Sequence, residues 1–270
     1  MSRFDEETRI SPAGPDAWAG QLSPSWSIGA NPNGGYLLAL AVAALRAAVP
    51  AHPDPLSVTV HYLRPGLGGR PFDVRTRVLR PGRSLTTAAA TLSQDGEPRI
   101  EVLAAMGALG DAEGEGAMLD VPAPEMPAPE ACVARSADAQ GVPLPILDRL
   151  DIRLHPDDAL GGAAGTARVT GWVRFRDLRA PDPLAALLFV DAFPPAVFGL
   201  LGVVGWVPTV SLTVQVRRRP KPGWMLGRFV SHDLCDGRVI EDGLLWDETG
   251  RLIAQSRQLA LVRTPAAGAA

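Results

Sequence analysis

The chain has 270 residues, a formal net charge of −3 and a hydrophobic fraction of 46%. That composition excludes a largely disordered chain, and 26 basic against 29 acidic residues give no reason to expect nucleic acid or an anionic membrane as a main partner. Two cysteines, Cys132 and Cys235, exclude a disulfide scaffold and lack the pairing of a zinc or redox motif, which points to a reducing, cytoplasmic compartment.

The start, MSRFDEET, is charged and has no apolar stretch of the signal-peptide kind. Residues 17–23 read as a short strand. Asn31 to Gly35 (NPNGG) is a turn and helix-entry signal. The helix expected over Tyr36 to Val49 is apolar almost all round, so it should be buried, and Pro50 ends it. Four strands then follow with period-two alternation. In Leu56 to Leu63 the residues Leu56, Val58, Val60 and Tyr62 face one way; Phe72, Val74, Thr76 and Val78 do so in the next. Leu85 to Ser93 turns through Gln94-Asp95-Gly96 into a strand carrying Ile100, Val102, Ala104 and Met106.

Between Gly110 and about Glu130, proline, glycine and acidic residues read as a linker. Beyond it, strands are expected at Asp148 to Leu154, Val169 to Arg176, Ser211 to Val216, Trp224 to Val230, Val239 to Trp246 and Leu252 to Val262. The run from Leu184 to Val207 is 24 residues and long enough to span a bilayer. Pro194-Pro195 in its middle and Asp191 inside it argue instead for a buried helix followed by a turn and an apolar loop.

The halves repeat each other. SVTVHYLRP at Ser57 returns as SLTVQVRRRP at Ser211, an offset of 154, and the turn glycine Gly82 returns as Gly237, an offset of 155. One such unit, a helix against an antiparallel sheet, leaves a sheet edge uncovered; two side by side remove that edge. The expected organisation is 1–110 for the first unit, 111–130 for the linker, 131–265 for the second unit and 266–270 for a disordered tail.

NGGY before the buried helix, SVTVHYLRPG, the GRS turn, VDAF, PTVSLTV and RLIAQSRQLAL, in that order over residues 17 to 263, resemble the type II acyl-CoA thioesterases. The resemblance implies an α+β double hotdog, two repeats each with a long buried helix wrapped by a curved antiparallel sheet. It implies hydrolysis of acyl-CoA to free acid and CoA, with CoA part of the substrate and no separate cofactor. In that family a water is held by an Asp, a Ser or Thr, and a Gln of the second hotdog, which match Asp191, Thr209 and Gln258. The chain departs from the family pattern at Ser211, often acidic, and at Leu212, a histidine in the bacterial type enzyme.

The residues carry their own reasons. Asp191 is the one charge in a 24-residue apolar run, and a buried carboxylate needs compensation. The Thr209 hydroxyl both donates and accepts. Gln255 and Gln258 fall on opposite faces of a strand, and the resemblance selects Gln258. Asn33, Gly34 and Gly35 stand where free backbone N–H groups can bind a thioester oxygen. Phe189, Phe193, Phe198 and Trp206 are expected to line an acyl tunnel. The cluster Arg217-Arg218-Arg219 with Lys221 reads as a solvated strand end or a phosphate contact. The four histidines show no metal spacing, so no metal is expected. A homodimer is expected from exposed sheet edges. A hotdog that binds acyl-CoA without hydrolysing it is the rival expectation.

Overall fold

The computed structural model describes residues 1–110, 119–162 and 164–262. The first half runs α1 (Arg3–Glu7), β1 (Ser11–Gly14), β2 (Ala17–Gln21), the two-residue strands β3 (Ser27–Ile28) and β4 (Asn31–Pro32), and helix α2 (Gly34–Ala48). Four long strands complete it: β5 (Asp54–Tyr62), β6 (Pro71–Arg80), β7 (Leu85–Gln94) and β8 (Glu97–Gly107). The second half begins with β9 (Val133–Ala134), α3 (Ala137–Gln140), β10 (Leu150–Leu154) and β11 (Arg168–Phe175). It continues with α4 (Pro183–Phe189), α5 (Phe198–Leu201), β12 (Thr209–Val216), β13 (Met225–Cys235), β14 (Arg238–Asp247) and β15 (Leu252–Leu261).

Among the described residues, thirteen strands form one antiparallel sheet in the order β1-β2-β6-β7-β8-β5-β12-β15-β14-β13-β11-β10-β9. The order is nearly a palindrome about the β5–β12 seam. There Thr59 pairs with Thr213, its own counterpart at the repeat offset of 154, and the two hydroxyls are 3.0 Å apart. A pseudo-twofold axis therefore passes between these threonines. Each seam strand carries a register shift at the equivalent place, between Pro55 and Ser57 and between Thr209 and Ser211. The α+β double hotdog is thus seen in the pairing itself.

Helices α2 and α4 pack against each other and against the sheet. From Gly35 to Leu45 every residue of α2 except Ala43 is buried, and α4 is buried throughout. Each begins at a polar cap: the Asn33 side chain accepts from Tyr36 N, and Asp182 from Ala185 N.

One expectation changes, the length of the second helix. The charged start is a folded element: Phe4 is buried between Trp26 and Phe175 while Glu7 accepts from Arg149. The second helix is short rather than long, ending at Phe189, so Asp191 lies just beyond it. The described part of the linker is a strap on the second half. Its Val121 and Pro127 carbonyls accept from the indole N–H groups of Trp246 and Trp172 at 2.7 and 2.9 Å. Residues 111–118 and the tail 266–270 lie outside the described residues.

Candidate active site

The site begins where α4 stops. An α-helix carried past Phe189 would need Pro195 to donate to the Asp191 carbonyl, and proline has no N–H. The orphaned groups find side chains instead. Asn33 Nδ2 donates to the Asp191 carbonyl at 2.7 Å, an Arg135 Nη donates to the Ala192 carbonyl, and Ala196 N–H donates to Glu241 Oε2 at 2.7 Å. Three polar side chains thus close one helix break, and all three line the cavity that opens beside it.

That break delivers Asp191 to the N-terminus of α2. Its Oδ2 accepts from Gly35 N–H and from Asn33 Nδ2, each at 2.8 Å. The approach needs glycine. A Cβ on Gly35 would stand 2.7 Å from the Leu187 carbonyl oxygen and 3.0 Å from the Asp191 Cβ. A Cβ on Gly34 would strike the Tyr62 ring at 2.8 Å. Burial lifts the Asp191 carboxyl to about 6, against the pull of the Gly35 amide, the Asn33 side chain, the Gly34 amide and the Arg135 charge. Part of its surface opens into the cavity, so the group is removed from bulk water while still able to meet a ligand.

A second chain of hydrogen bonds faces it. Thr209 Oγ1 donates to Gln258 Oε1 at 2.9 Å, and Gln258 Nε2 donates to Glu241 Oε1 at 2.6 Å. Burial raises the Glu241 carboxyl to about 7; Ala196 N–H and Gln258 draw it down, while the charges on Asp191 and Asp242 push it up. Arg135 is buried beside Asp191, with Nε and one Nη held by Gln140 Oε1. Burial lowers its guanidinium to about 10, and the Asp191 charge works against that fall. The Tyr62 hydroxyl is buried without a hydrogen-bond partner, and burial with Asp191 nearby keeps it protonated.

The cavity holds about 530 Å³ and is lined by Asn33, Gly34, Asp191, Thr209 and Gln258 together with Phe193, Phe198 and Trp206. Two expected residues do not reach it. Phe189 is a core residue, wholly buried with its ring 4.9 Å from Phe175. Gly35 stands behind Asp191 and spends its N–H on that carboxylate, so the helix amide expected for a thioester oxygen is already taken. Thr209 donates to Gln258, with no hydrogen bond to Asp191. Gln258 faces the cavity while Gln255 is exposed on the opposite face. The basic cluster stands at the far end of β12 from Thr209, roughly 25 Å away at the rise of a strand. Arg218 is held there by the Leu252 carbonyl and Arg219 by Asp54.

Glu241 and Arg135 did not stand out in the sequence. Glu241 had a signal: it keeps step with Val239, Gly243 and Leu245, so an acid falls on the inward face of its strand. Arg135 had none, because it lies in a loop-like stretch and its partner carbonyl exists only through the helix break. Among the described residues no group of His, Cys, Asp and Glu side chains is placed to hold a metal ion. No helix there is long and apolar enough to cross a membrane.

The sheet and the paired helices define a double hotdog with a cavity lined from both of its halves. Residues 22–110 match the family model of the acyl-CoA thioesterase N-terminal domain, and residues 129–262 that of the C-terminal domain. The chain belongs to the acyl-CoA thioesterase family. A protein of Thermobifida fusca YX assigned as a thioesterase II is 34% identical, with a TM-score of 0.86 over 97% of this chain and 98% of its own. A hot dog fold protein of unknown function from Alicyclobacillus acidocaldarius is 25% identical, with a TM-score of 0.83 over 98% and 99%. An uncharacterised protein of Mycobacterium tuberculosis is 29% identical over 90% of each chain.

Proposed function

We propose that the protein hydrolyses acyl-CoA thioesters to free acid and CoA. The observation that carries this reading is a carboxylate, Asp191, held at a helix N-terminus inside an apolar cavity, with a threonine and a glutamine lining the same space. Asp191, ionised above about pH 6, takes a proton from a water. Thr209 has lone pairs to spare and Gln258 one N–H, so both can hold that water against the thioester carbon. The acyl chain lies along Phe193, Phe198 and Trp206. Attack gives a tetrahedral intermediate, and its collapse releases the CoA thiolate with no covalent enzyme intermediate. No metal and no separate cofactor enter. A cytoplasmic location goes with this reading, as does a homodimer built on the exposed edges at β1 and β9.

Thiol release over a series of short to long acyl-CoAs tests it; CoA should appear at rates well above the uncatalysed background. One feature favours the rival reading: Thr209 and Gln258 bond to each other and not to Asp191. Tight acyl-CoA binding with no release of thiol would establish that rival.

A further inference from the structure

The relay that ends at Thr209 has a fixed direction, and one residue outside the Asp, Thr and Gln set fixes it. A primary amide such as Gln258 presents an oxygen on one side and an NH2 on the other, and only its neighbours decide which faces where. Thr209 stands on one side of it and Glu241 on the other. A carboxylate only accepts, so an ionised Glu241 compels Gln258 to turn its NH2 toward strand β14 and its oxygen toward Thr209. Thr209 must then donate, and its lone pairs are left facing the cavity. Glu241 is itself held, because its other oxygen accepts from Ala196 N–H at 2.7 Å in the break after α4.

We propose that Glu241 is a positioning residue that sets the orientation of the Gln258 amide and, through it, the direction in which the Thr209 hydroxyl donates. Its mechanistic consequence rests on the thioesterase reading; the orientation itself does not. The charged and titratable groups around Glu241 are few. Asp191 acts across the cavity and Asp242 from its own strand, the latter turned outward and paired with Arg257 of β15. Ser231 of β13 pairs with it in the ladder, with exposed His232 and Asp233 beyond. Arg135, Arg64 and Tyr62 line the same cavity.

Glu241→Gln gives the sharpest test, because the shape is kept and the direction is not. Ala196 N–H still requires an acceptor, so the substituted side chain gives it the amide oxygen and presents NH2 to Gln258. Gln258 must then reverse, putting its NH2 against Thr209, whose proton swings into the cavity. The expected result is a kcat about 10- to 100-fold lower with KM held within about twofold. The acid limb of log kcat should lose one of its two protons. In the wild type the side-chain amide resonance of Gln258 should titrate with a midpoint near neutrality, and in the variant it should not. Wild-type kcat with both protons retained, or a Gln258 resonance indifferent to pH in the wild type, would overturn the proposal. The resonance in the wild type decides the matter even if the variant fails to fold. It decides it equally if the wild type hydrolyses no thioester.

Discussion

The two ends of the helix pair are built alike and hold opposite chemistry. Asp191 lies nine residues past the cap of α4, and nine past the cap of α2 is Val42, fully buried. Across the seam, the ladder registers match Gln258 to Ala104, Glu241 to Ala88 and Thr209 to Pro55. Four polar groups on one side of the pseudo-twofold axis thus answer to four apolar residues on the other. The reason lies in the residues just after each cap. Gly34-Gly35 after Asn33 leave a neutral cap, free amides and room for a carboxylate. Pro183-Leu184 after Asp182 leave an anionic cap, one amide fewer and a side chain in the way. A duplicated cap is therefore not a duplicated site; two residues beyond it decide whether a buried acid can be solvated by backbone.

Asp191→Asn removes the base and should lower kcat by about 10²- to 10⁴-fold in the thiol-release assay, with the fold intact by circular dichroism. The mirror change, Val42→Asp, should build no second site. It buries an uncompensated charge in the core and should cost about 3–5 kcal/mol of stability in urea unfolding. Gln258→Ala should reduce kcat by about tenfold or more while Gln255→Ala leaves it unchanged; the reverse would mean the inward face of β15 is the other one.

The mildest effect is on stability against pH. The folded carboxyls of Asp191 and Glu241 stand at about 6 and about 7, above their ordinary values of 3.8 and 4.5. Folding therefore favours their protonated forms. Their stabilising contribution is complete below the ordinary values and is lost as pH rises through 6 and 7. Asp191→Asn should accordingly be more stable than the wild type at pH 8 by ~1–3 kcal/mol and no more stable at pH 4, read from melting temperatures across that range.

Most of the scaffold was legible because its signals are local or periodic. Alternating strands, the NPNGG entry to α2 and the offset of 154 are written along the chain, and that offset is the register by which Thr59 meets Thr213. Asp191 was legible as a charge in an apolar run. What it would touch was not, because Gly35 and Asn33 reach it only after two helices pack. The length of the second helix was overestimated for a related reason. Leu184 to Val190 is apolar throughout, and periodicity alone does not show that Asn33 and Arg135 will take up the carbonyls that an early stop exposes. Phe189 looked like a tunnel residue for want of one fact, the direction of its ring toward Phe175.

The Thr59–Thr213 seam has a consequence for how the molecule is held together. In a protein assembled from two separate chains, such a seam forms at the cost of the translational and rotational freedom of a second molecule. Here one backbone carries both threonines, so closing the seam is intramolecular and its effective concentration is set by the connecting segment rather than by the cell. The seam should stay closed at any dilution. Divergence is then free as well: identical subunits must alter both copies of a site together, whereas a tandem chain can sharpen one and let the other fill with valine, proline and alanine.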